Sequence, residues 1–146
     1  MYLGLQHFHS YLAYLVLLGV LFSVIMAVIG YSNNRPFTDR DRKMALLGLI
    51  PTHLQWVIGL ILYFVSPLGL SNFSGENMGD STSRLYMLEH PLMMILGVIL
   101  ITVGYAKAKR QIGDRKGFRS IFIFYGIALV LFLSRIPWNA WPGNQE

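Results

Sequence analysis

Four long apolar stretches, at about 5–29, 44–65, 85–106 and 118–136, leave this chain few folds to choose from. Each approaches the roughly 20 residues that a helix needs to cross the hydrocarbon core of a bilayer. Backbone surrounded by lipid must satisfy its own N–H and C=O groups, and a helix does so within one segment. The expected fold is therefore all-α: an integral membrane, antiparallel four-helix bundle in which residues 1–146 form a single domain. Composition agrees, since the chain is 54% hydrophobic and 13% charged, against about 25% charged in an ordinary soluble domain. The first stretch lacks both a basic leader and a small-residue cleavage site, so it reads as a retained helix.

The net charge of +5 is unevenly placed. The first connection carries Arg35, Arg40, Arg42 and Lys43, and the third carries Lys107, Lys109, Arg110, Arg115, Lys116 and Arg119, together ten of the twelve basic residues. In a four-span chain these connections share one side, which the positive-inside rule makes cytoplasmic. Both termini and the middle connection, 66–84, then face outward, and the expected location is a bacterial inner membrane. Tyr2/Phe8, Tyr63/Phe64 and Trp138/Trp141 fall near the outer boundary, where amphipathic rings are favoured. The basic loops read as topology signals and not as a nucleic-acid surface.

Against this apolar background the four histidines stand out: His7, His9, His53 and His90, all in or beside the spans. An imidazole in hydrocarbon needs a partner, which makes each a functional candidate. The chain has no cysteine, which excludes disulfides, thiolate zinc sites, Cys-ligated iron–sulfur clusters and covalent haem attachment. His7 and His9 lie about 200° apart on a helix, so only one of them can face a given centre. His9 is the deeper of the two, and His7 suits the interface. His53 sits roughly midway along the second span and His90 somewhat below the outer surface. His9, His53 and His90 thus share the outer half of the bilayer, which suits one centre and not two haems stacked across it.

A haem b needs axial nitrogens, a flat apolar slot and cations for its propionates. The axial pair is either His53–His90, the first choice, or His9–His90. Each span contains glycine (Gly19; Gly48 and Gly59; Gly97 and Gly104; Gly126), which serves helix packing or leaves room for a flat group. Phe8, Phe64 or Trp56 are candidates for the slot walls. Arg84 and Arg135 lie outside the cytoplasmic loops and are candidates for the propionates; Arg135 alternatively snorkels at the interface and pairs with Glu89. Each histidine also has a plainer role. Pro51 frees the carbonyl of Leu47 for His53, and Pro91 biases His90 away from helical dihedrals and toward a turn at the surface. Met78, Met87, Met93 and Met94 offer thioethers to Cu(I), or simply fill the core.

Gln6-His7-Phe8-His9, Thr52-His53-Leu54-Gln55 with Gly59-Leu60-Ile61-Leu62-Tyr63, Leu88-Glu89-His90, Tyr125-Gly126-Ile127-Ala128-Leu129 and Ile136-Pro137-Trp138 carry a resemblance that covers nearly the whole chain. On these residues it resembles small four-span bacterial membrane proteins, mainly of Bacteroidetes-type bacteria, labelled cytochrome b. The resemblance implies a b-type haem and leaves the axial histidines open. Two function classes follow. One is a haem b electron-transfer protein working with a membrane redox partner, a quinol among the candidates, alone or inside a respiratory complex. The other is a non-redox accessory subunit of a larger membrane complex, and copper or haem handling is a lesser alternative.

Overall fold

The computed structural model describes residues 1–142. It contains four long helices: α1 (Tyr2–Ser32), α2 (Asp39–Val65), α3 (Ser81–Lys109) and α4 (Lys116–Ser134). All four are long and apolar enough to cross a membrane. Short 3-10 turns occur at Leu70–Asn72, Asn77–Gly79 and Trp138–Ala140, and the described residues include no strand. The helices pack as a ring, with α1 on α2, α2 on α3, α3 on α4 and α4 back on α1.

The first three helices outrun their apolar stretches because local chemistry sets their ends. Helix α2 starts at Asp39, where Thr38 and Asp41 form a reciprocal capping box that satisfies two free N-terminal donors. Asp41 also accepts both terminal nitrogens of Arg35 at 2.8 Å. Helix α3 starts at Ser81 behind Asp80, whose carboxylate accepts the Ser83 amide at 2.8 Å. That bond holds the Asp80 carboxyl below the usual carboxylate range.

Small residues and rings mesh along the bundle axis. Val20, Ile101, Tyr125 and Ala128 are fully buried. A side chain at Gly97, Gly104, Gly30 or Gly117 would overlap Phe132, Phe124, Phe118 or Phe37 respectively, so at these positions glycine makes room for a neighbouring ring. Gly19 lies against the Leu47 carbonyl. Pro51 has no N–H to offer that oxygen, and the bare Gly19 Cα lets α1 approach it. The outer faces are apolar too, with Leu18, Ile25, Leu47, Ile99, Ile127 and Val130 exposed, as lipid-facing helices require.

The two basic connections are tied to each other and to the helix ends. The Gly113 amide donates to the Phe37 carbonyl at 2.7 Å, and Gly113 takes a φ of +92° that suits glycine. Arg115 donates to the Tyr31 carbonyl at 2.7 Å while its guanidinium lies 3.7 Å from the Tyr31 ring centre. Arg42 donates to the Tyr105 hydroxyl at 2.8 Å.

Candidate functional site

At the opposite end of the bundle, α1, α2, α3 and the C-terminal edge of α4 bring His9 and His90 together. Their ring centroids are 6.2 Å apart with planes at 81°. Helical geometry accounts for the choice between neighbouring histidines: His7 is exposed and His9 turns inward. The His9 ring lies over Gly59 of α2, where an added Cβ would come within 2.9 Å of Cε1. One turn earlier on the same face, Gln55 Nε2 donates to the His9 carbonyl at 2.8 Å. Thus α2 grips α1 at this level through one amide and one missing side chain.

His90 is placed by an irregular turn of α3. Residues Leu85–Glu89 form a π-helical segment immediately before it, a feature often found at functional sites. Pro91 has no N–H for the Met87 carbonyl one turn back; the Tyr63 hydroxyl donates to that oxygen instead, at 2.9 Å. His90 itself keeps helical dihedrals, φ −62° and ψ −54°. The alternative of a surface turn at His90 is therefore not formed: the helix continues through a π segment just before the proline.

The tautomer of His90 follows from its partner. Its Nδ1 lies 2.8 Å from the Arg135 carbonyl. A carbonyl only accepts, so Nδ1 carries the proton and Nε2 presents a lone pair. An imidazole held by its Nδ1–H on a backbone carbonyl is oriented as metal-ligating histidines are.

Glu89 gathers the two arginines singled out from the sequence. Arg84 donates to Glu89 Oε1 at 2.8 Å and Arg135 meets Oε2 at 3.1 Å. Arg84 also donates to the Met78 carbonyl. Two cations on one carboxylate leave one surplus positive charge beside His90.

His53 stands apart from this group. Its Nε2 lies 2.8 Å from the Thr102 hydroxyl, which itself donates to the Val98 carbonyl at 2.8 Å. With that hydroxyl proton committed, His53 must donate from Nε2. Pro51 does free the Leu47 carbonyl, but that oxygen packs on Gly19 and His53 reaches across to α3. The structure thus brings His9 and His90 together and leaves His53 in the α2–α3 seam. Phe8, Phe64 and Trp56, the candidate slot walls, are exposed.

Gln55 is the site residue that the sequence reading passed over. Its only signal is an amide inside an apolar span, two positions beyond His53. Both Gln55 Oε1 and His9 Nδ1 are buried without a hydrogen-bond partner among the described residues.

His9 and His90 are the imidazoles that this arrangement could offer to a metal or cofactor. Among the described residues no group of three or more His, Asp or Glu side chains converges to hold an ion unaided. No family model, no curated protein and no solved structure matches the chain significantly.

Proposed function

We propose that this chain is a membrane b-type cytochrome that holds one haem b between His9 and His90 and passes single electrons. The observation that carries this reading is the His9–His90 pair at 6.2 Å, with His90 held by its Nδ1–H on the Arg135 carbonyl. When bound, the haem supplies a one-electron couple. The chain supplies the rest. His9 and His90 offer nitrogens from two helices, and Gly59 makes room for the His9 ring. Arg84 and Arg135 place positive charge beside the pair, as a group with anionic propionates requires.

In this reading the protein spans a bacterial inner membrane. The basic connections are cytoplasmic, and the His9–His90 end faces outward. Its redox partners are other membrane components, a quinol among them, alone or within a respiratory complex. The resemblance to small four-span cytochrome b proteins supports the same assignment.

A dithionite-reduced minus air-oxidised spectrum of the purified protein, with pyridine haemochrome quantification, tests the proposal. One b-type haem per chain is the expected result. A colourless protein that takes up no haem on reconstitution would overturn it and favour a non-redox accessory subunit. The interhelical bonds of His53 to Thr102 and His90 to Arg135 would then be the histidines' whole role.

A further inference from the structure

Two buried polar atoms on facing helices, Gln55 Oε1 and His9 Nδ1, lack partners among the described residues. They belong to one patch. Gln55 Nε2 is fixed on the His9 carbonyl at 2.8 Å, and His9 Nδ1 would lie 3.5 Å from a Cβ on Gly59, one turn from Gln55. The amide cannot be reversed without setting its oxygen against the His9 carbonyl oxygen, so Oε1 is the end left over to accept. His9 Nδ1, on the residue whose carbonyl this amide holds, is likewise buried with no partner among the described residues. A buried donor and a buried acceptor left apart are each costly, and pairing them, directly or through one water, removes both penalties.

From this we infer that Gln55 is the positioning residue of His9: through one bridging water its Oε1 takes up the Nδ1–H and so fixes which nitrogen keeps the lone pair. The inference rests on the haem reading for its consequence and on this chain's own hydrogen bonding for its geometry. His90 is oriented by the Arg135 backbone carbonyl, and Gln55 provides the matching constraint on the opposite imidazole. The two holds differ in kind. A backbone carbonyl is invariant under substitution, whereas a side-chain amide can be exchanged, so position 55 is where the electron-donating character of the pair is adjustable. A stronger acceptor on Nδ1–H makes the imidazole more electron-rich and favours the oxidised metal.

The test uses the full chain and two readouts. In haem-free protein labelled with 15N-histidine, His9 should be in the Nδ1–H tautomer in the wild type and should lose that preference in Gln55→Leu. In haem-loaded protein, Gln55→Glu should lower the midpoint potential and Gln55→Leu should raise it, while His90 keeps its Nδ1–H signal in both. Altered helix packing alone would change thermal stability without moving the two potentials in opposite directions. An Nε2–H tautomer of His9 in the wild type would overturn the inference, as would equal potentials in the three proteins. Failure of the wild type to bind haem would instead overturn the haem reading, and the tautomer measurement would still decide the role of Gln55.

Discussion

At the residue scale, the difference between His53 and His90 is one of partners, and it makes a sharp prediction. His53 already donates to Thr102 in the α2–α3 seam, whereas His90 donates from Nδ1 and keeps an unprotonated Nε2. His90→Ala should abolish stoichiometric haem, and His9→Ala should do the same or leave a weakly held, altered spectrum. His53→Ala should keep the full haem complement. Haemochrome quantification of the three variants decides this, and loss of haem in His53→Ala alone would reverse the assignment. Gly59 makes a second prediction. A leucine there would occupy the space of the His9 ring, so Gly59→Leu should lose haem while Gly126→Leu, whose Cβ meets nothing within 4 Å, should not. Part of this was legible in the chain. The 200° offset of His7 and His9 allows only one inward histidine, and His9 is that one. The choice between His53 and His9 as partner of His90 was not legible, because it depends on the rotation of α2 about its own axis. In a helix apolar on both its lipid and its core faces, no polar stripe marks that rotation.

At the element scale, α3 is the helix whose details the sequence concealed. It starts at Ser81, four residues before its apolar stretch, because the Asp80 side chain caps it. The Pro91 dihedral bias was readable, but the turn it offered as an alternative is not made and the helix runs through His90. The compensation lies elsewhere, in the π segment Leu85–Glu89 and in a hydroxyl on α2 that serves the Met87 carbonyl. Tyr63→Phe removes only that hydroxyl. It should lower bundle stability by about 1 kcal/mol, the usual range for an interhelical hydrogen bond in a membrane protein, and should shift the His90 environment by loosening the turn that presents it. Unfolding in mixed detergent checks the first effect, and the 15N signal of His90 checks the second. An unchanged variant would mean that the π turn holds without Tyr63. At the other end of α2, Asp41 accepts from Arg35 and from both the amide and hydroxyl of Thr38. Asp41→Ala should cost about 1–3 kcal/mol by leaving those donors short of an acceptor, with haem content unaffected because the site is at the far end.

For the whole molecule, the four-helix architecture followed from four apolar stretches, since lipid permits so few ways to satisfy a backbone. The order of packing also follows from short connections, which bring consecutive helices together and return α4 to α1. What the bundle adds is a polarity between its two ends. One end is braced by basic loops pinned through Phe37, Arg42 and Arg115. The other carries the histidine pair, the Arg84–Glu89–Arg135 cluster and the Trp138–Trp141 contact, with centroids 5.3 Å apart. Ten of twelve basic residues on one side give a strong orienting signal, and the absence of native cysteine makes that orientation directly measurable. Ser74→Cys in the middle connection and Lys109→Cys at the basic end are both exposed positions outside the histidine site. In intact cells, a membrane-impermeant maleimide should label Cys at position 74 and should reach position 109 only after permeabilisation. The reverse pattern would place the histidine pair near the cytoplasmic face and redirect the search for redox partners to that side. Equal labelling of both positions in intact cells would contradict a single orientation. The expected pattern would place the histidine pair toward the outer surface, within reach of a partner in the membrane or outside it.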